Sequence, residues 1–219
     1  MATQIAAHEA LARLIEGNRR FASNVRSLDA MISHGKRGEL ANGQLPYAII
    51  LGCSDSRVPA ELVFDQGLGD LFVIRVAGNI VAPSQVGSVE FAAERFGVRL
   101  VVVMGHSGCG AIDAAIEAMG DDSPPKSTNM LSIVDRIRPA IAPLMHTELA
   151  HDGANLRREG VRANVMASAN HLRHGSAVLE NLILQHGLRV VGAQYDLETG
   201  IVEFFDGVPS ASRPWNERP

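Results

Sequence analysis

Cysteine is scarce in this sequence, with two in 219 residues. A disulfide-stapled secreted scaffold normally carries more in a shorter chain, so that class is excluded. Long apolar runs are absent too, and none approaches the ~20 residues a membrane span needs. There is no basic surplus: the net charge is −4, and the Lys and Arg residues are scattered rather than gathered into a patch. Nucleic acid is therefore not an expected partner. The first twenty residues intersperse apolar side chains with Glu9, Arg13, Glu16 and Arg19, which is not the apolar core of a signal peptide. A cytoplasmic protein with no membrane partner is the expectation. Repeats are missing, and so is any linker long enough to separate domains, so residues 1–219 are read as one domain with an N-terminal helical arm over about 1–40.

Residues 5–23 place Ile5, His8, Leu11, Leu14, Ile15, Asn18 and Phe21 at three- and four-residue steps, the pattern of an amphipathic helix whose stripe packs on this chain or on a partner. The centre then alternates. The segments 47–51, 71–77 and 99–105 are short, nearly continuous apolar runs, as strands buried on both faces of a parallel sheet require. Between and after them, 84–96 and 108–119 read as helices, with Ser84 and Ser107 as candidate caps. Residues 121–127 form a polar, proline-containing break. A helical stretch over 128–146, interrupted by Pro139 and Pro143, and a long helical segment over roughly 159–186 follow. The strand 188–195, the turn 196–200 and the strand 201–205 read as a terminal hairpin, and the last residues as a loosely held tail. The predicted fold is α/β: a central, mainly parallel β-sheet flanked by helices, with an N-terminal helical extension and a C-terminal β-hairpin.

Ligand-bearing side chains in such a sheet belong at the carboxyl ends of the strands. Two clusters sit there, GCSDSR at 52–57 and GHSGCG at 105–110. Cys53, His106 and Cys109 supply two thiolates and an imidazole, a set suited to Zn2+, and three protein ligands leave the open position of a catalytic site. If the segment after Cys53 is extended, Cys53, Asp55 and Arg57 share a face, and Arg57 can hold Asp55 with paired hydrogen bonds. A redox pair is the main rival, but the cysteines are far apart in sequence and lack the C-x-x-C arrangement. His8, His34, His146, His151, His171, His174 and His186 have no Cys or carboxylate at ligand spacing, and nothing selects one of them as a proton shuttle.

CSDSR followed by GHSGCG closely resembles the paired motif of the β-class carbonic anhydrases. The resemblance runs from about Gln44 to Ala115, including VPAELVFDQGLGDLFVIRVAGN at 58–79, and more loosely over both flanks. It implies reversible hydration of CO2 to bicarbonate and a proton by hydroxide on zinc. By the same resemblance the zinc ligands are Cys53, His106 and Cys109, and Asp55 and Arg57 form a catalytic dyad. Asp55 is also a possible fourth ligand at lower pH, displaced as pH rises, so that activity climbs from near pH 7 to above pH 8. Gln44 matches a glutamine that hydrogen-bonds bicarbonate, and the Gly110 amide matches a backbone donor to the substrate. Phe72 and Ala77 fall where the family lines its CO2 pocket. The family's sites are completed by two protomers, which implies a homodimer or a dimer of dimers. One departure stands out: members with a non-catalytic bicarbonate site carry tryptophan where this chain has Ile50, which argues against regulation by bicarbonate. Arg75 matches that site's arginine, and alone it reads as structural. The competing readings are hydrolysis of carbonyl sulfide or carbon disulfide on the same site, and a non-catalytic zinc protein, which has no need of Asp55, Arg57 and Gln44 together.

Overall fold

Helix α1 (Ala7–Ala22) forms where the sequence places its apolar stripe. Ala7, Ala10, Leu11 and Leu14 are buried against this chain's own sheet. The computed structural model describes residues 5–25, 27, 37, 38, 40–120 and 127–209. The rest of the expected arm, His34, residues 121–126 of the polar break and most of the tail lie outside the described residues.

The chain continues through β1 (Ala48–Gly52), α2 (Ala60–Val63), β2 (Leu71–Arg75), a 3-10 turn (Ala77–Asn79), α3 (Pro83–Arg95), β3 (Leu100–His106) and α4 (Gly110–Gly120). After it come α5 (Thr128–Ile141), two 3-10 turns, α6 (Gly153–His174), α7 (Ala177–Gln185), β4 (Arg189–Tyr195) and β5 (Val202–Asp206). The sheet order is β2-β1-β3-β4-β5. The β1/β2, β1/β3 and β3/β4 pairs are parallel, and β4/β5 is the antiparallel hairpin. This is the predicted α/β architecture.

The apolar runs are continuous because successive residues feed opposite cores. Ile50, Val102 and Val191 face α1 and α2. Ile49, Leu51, Val101, Val103 and Val190 face α3, α6 and α7. A third cluster gathers Cys53, Cys109, Ile112, Ile137 and Val161 at the carboxyl end of the sheet. From β1 the chain first builds outward to β2, then returns to add β3 on the other side, so the strand order reverses between β1 and β3. That is the switch point at which open α/β sheets carry their sites.

Several local expectations are corrected. The helix expected over 159–186 begins earlier, capped by Asp152, and is broken at Gly175. A side chain there would lie 2.6 Å from the His171 carbonyl oxygen. Ser176 then starts α7, accepting from the Leu179 amide and donating to Glu90. Ser84 and Ser107 are not caps: α3 starts on Pro83 after Ala82, and the Ser107 hydroxyl oxygen accepts the Leu197 amide. Helix α5 runs through Pro139 to Ile141.

Asn18 sits within the α1 stripe, yet its work is polar. Its Nδ2 donates to the carbonyls of Val63 and Gly200, and its Oδ1 accepts the Val202 amide. One buried side chain thus ties α1 to α2 and the hairpin. Asn18→Leu strands three backbone groups in the interior and is expected to cost about 2–4 kcal/mol. The check is urea unfolding: a lower midpoint with an unchanged slope supports this, and an unmoved midpoint contradicts it.

Candidate metal centre

Cys53 follows β1 directly, and His106 is the last residue of β3. Register pairing of Gly52 with Met104 brings these strand ends together. After His106 the chain turns through Gly108, whose φ of 63° suits glycine, and Cys109 leads into α4. The Cys109 carbonyl accepts the amides of Ile112 and Asp113. The ligand atoms of Cys53, His106 and Cys109 all lie within 4.8 Å of one another, and all three residues are buried. Among the described residues no second such group of Cys, His and acidic side chains occurs.

The electronic arrangement is specific. His106 Nδ1 lies 2.9 Å from the Ser107 carbonyl oxygen, which only accepts, so the ring proton belongs on Nδ1. Nε2 is left as a lone pair, fully buried and without a protein hydrogen-bond partner. An unpartnered buried polar atom is costly, so this nitrogen calls for a ligand. The two sulfurs are free thiols 4.0 Å apart. Their mutual hydrogen bond lowers the Cys53 pKa, helped by His106 and the amides of Asp55 and Gly78. The same bond, with burial, raises that of Cys109. Burial opposes charge on His106, but the facing Cys53 sulfur outweighs it and the pKa is raised. Two sulfurs and an imidazole nitrogen, buried and converging, form a metal-binding arrangement.

Asp55 and Arg57 meet, though not by the extended segment the sequence suggests. The chain turns after Asp55, whose Oδ1 accepts both the Arg57 amide and its Nε at 2.9 Å. Oδ2 accepts Arg57 Nη2 at 2.6 Å. These hydrogen bonds hold the Asp55 carboxyl well below the usual carboxylate range. Arg57 also donates to the Gly108 carbonyl, linking the two motifs. Asp55 Oδ2 stands 3.9 Å from His106 Nε2, at the edge of the metal-binding group.

The remaining candidates divide. Ala77 opens the 3-10 turn whose next residue, Gly78, donates its amide to Cys53 Sγ at 3.3 Å. Gly110 is the first residue of α4, beside Cys109. Gln44 and Phe72 are not brought to the group in their own chain. Gln44 lies exposed before β1, at the opposite end of the strand from Cys53, in a groove lined by Leu40, Gly43, Leu68 and Gly69. A strand of this length spans roughly 17 Å. Phe72 pairs with Ile49, early in β1, and packs on Phe91 and Phe96. Arg75 is structural, as its isolation suggested: it donates to the carbonyls of Cys53 and Asp55 and pins that loop. Sequence reasoning missed the Gly78 amide and the Ser107 carbonyl. The Gly-Asn pair at 78–79 is a readable turn signal, but a turn's target is not.

The carbonic anhydrase family model matches residues 48–202. Carbonic anhydrase 2 of Mycobacterium tuberculosis is 38% identical over 187 residues, 85% of this chain and 87% of that protein. The carbonic anhydrase of Pseudomonas aeruginosa is 38% identical over 175 residues, 77% of each chain. Among solved structures, a tetrameric β-carbonic anhydrase from Sordaria macrospora superimposes with a TM-score of 0.71 at 25% identity, over 90% of this chain and 95% of that one.

Proposed function

Because the chain belongs to the β-carbonic anhydrase family, we propose that it is a carbonate dehydratase hydrating CO2 reversibly on zinc held by Cys53, His106 and Cys109. The observation that carries this is the buried, unpartnered His106 Nε2 facing two free cysteine sulfurs. Two sulfurs on one tetrahedral zinc, each ~2.3 Å from it, stand ~3.8 Å apart, and the 4.0 Å here fits that spacing. When bound, zinc supplies the Lewis acidity that makes hydroxide available near neutral pH.

This chain's residues do the rest. The Ser107 carbonyl fixes the tautomer that turns Nε2 inward. Asp55, kept ionised by Arg57, accepts only; it takes the proton side of the nucleophile and turns a lone pair toward CO2. The Gly110 amide, in the first turn of α4 and without an intrahelical acceptor, is a donor to the developing carboxylate. Ala77 contributes small apolar lining for a substrate with no charge. Gln44 and Phe72, far from the centre of their own chain, serve a partner's site, which makes the protein a homo-oligomer built on a dimer. Free cysteines fit the cytoplasm, and no helix among the described residues is long and apolar enough to cross a membrane. Carbonyl sulfide and carbon disulfide are not favoured, since the relatives are carbonic anhydrases.

Stopped-flow CO2 hydration of the zinc-loaded protein is expected to show turnover that tracks zinc content. Full zinc without turnover would leave a non-catalytic zinc protein. Sedimentation at micromolar concentration is expected to show no stable monomer. A monomer with full activity would remove Gln44 and Phe72 from the site.

A further inference from the structure

Helix α6 carries two polar side chains on an otherwise apolar inner face. Asn164 and Ser168 stand one helical turn apart, 2% and 6% exposed, between Val161, Val165, Ala169 and Leu172, which are buried in the cores. Polar groups at such a depth are costly unless bonded. Neither is spent on its own helix. Asn164 Nδ2 donates to the Gly78 carbonyl at 2.7 Å, and Ser168 Oγ donates to the Asn79 carbonyl at 3.0 Å.

Those carbonyls belong to the turn Ala77–Asn79, which is left-handed and crowded. Gly78 and Asn79 both have positive φ, 66° and 43°, the latter unusual for a residue with a side chain. A Cβ on Gly78 would lie 2.8 Å from Ile137 and 3.0 Å from Ala111. The Asn79 amide closes the turn on the Val76 carbonyl. One donor of the turn is directed outward: the Gly78 N–H, aimed at Cys53 Sγ. We infer that Asn164 and Ser168 are positioning residues for the metal centre, holding this turn so that the Gly78 amide hydrogen-bonds the Cys53 sulfur and tempers its donation to the metal. The inference rests on the zinc reading above. An N–H on a thiolate withdraws charge from it, which matters with two thiolate ligands, because they donate more charge than imidazoles and blunt the ion's acidity.

The test uses the full chain loaded with cobalt(II), whose thiolate charge-transfer absorption reports on the sulfur. Asn164→Leu and Ser168→Ala are expected to move that band to lower energy, because a sulfur without its N–H partner gives up charge more readily. Asn164→Leu is also expected to lower zinc affinity ~10-fold. Ser168→Thr, which keeps the hydroxyl, restores the wild-type band. Val165→Ala is the control, since it loosens the same helix face, where Val165 packs near Gly105 and Gly192, while keeping both hydrogen bonds to the turn, and its band stays in place. Should Asn164→Leu not fold, Ser168→Ala carries the test, having lost one oxygen. Unmoved bands in the folded variants, or an equal shift in Val165→Ala, would overturn the inference while leaving the centre intact. A wild type with no thiolate–cobalt band would defeat the metal centre and the inference together.

Discussion

Cys109→Ser is expected to lose zinc and activity together, with CO2 hydration down roughly a thousand-fold or more, since without the Lewis acid hydroxide is scarce at neutral pH. A hydroxyl is a poor substitute for a thiolate on zinc, and Cys109 is one of the three side chains whose ligand atoms converge there. The fold is expected to survive, because the Cys109 contacts that start α4 are made by its carbonyl. Metal analysis and stopped-flow hydration on the same sample check this. Full zinc with normal turnover in the variant would strike Cys109 from the ligand set.

Arg57→Ala is expected to keep its zinc and lose ~10- to 100-fold in activity, the range for residues that orient a metal site. Arg57 makes three hydrogen bonds to Asp55, two from its side chain and one from its amide, and the substitution removes the two side-chain ones. Freed, Asp55 has a nearby alternative, since its Oδ2 is 3.9 Å from the very nitrogen that faces the centre. Asp55 then competes for the open metal position, and the competition is strongest at low pH, where hydroxide is scarce. Wild-type activity is accordingly expected to rise from near pH 7 to above pH 8, with the variant's rise displaced to higher pH. The depressed pKa of Asp55 keeps it ionised throughout this window, so its own titration is not the source of the profile. Arg57→Lys keeps the charge without the two-pronged geometry and is expected to fall between. Activity, zinc content and zinc coordination measured from pH 6.5 to 9 check these outcomes. A flat wild-type profile, or an Arg57→Ala variant with unchanged activity, would confine Asp55 to orienting the nucleophile.

The features of the site that were legible in sequence are those fixed by one strand end or one turn. Cys53 and His106 close strands whose unbroken apolar runs mark burial on both faces, and the H-x-x-C spacing carries Cys109 back to His106 through Gly108. The pairing of Asp55 with Arg57 is legible from their spacing, but a turn, not an extended segment, joins them. Ser107 looked like a cap because it precedes a helix, but its hydroxyl is taken by Leu197, 90 residues on. Asn18 read as a stripe position, yet its partners at 63, 200 and 202 exist only once the hairpin has docked. The break at Gly175 is legible only in part, because an isolated glycine inside a helical pattern is tolerated at a cost, although basic residues before it and Ser176 after it are stop and start signals. Gln44 and Phe72 are set away from the centre by the topology of their own chain, a separation that residue spacing along the sequence does not reveal.

The proposed chemistry requires one zinc held by two sulfurs and one imidazole, with a single light-atom position to spare. Zinc K-edge X-ray absorption on the purified, zinc-loaded protein reads that shell without intermediary. Two sulfurs at about 2.3 Å are expected, with one nitrogen and one further light atom at about 2.0 Å. A shell of oxygen and nitrogen alone, or one of four sulfurs, would contradict it.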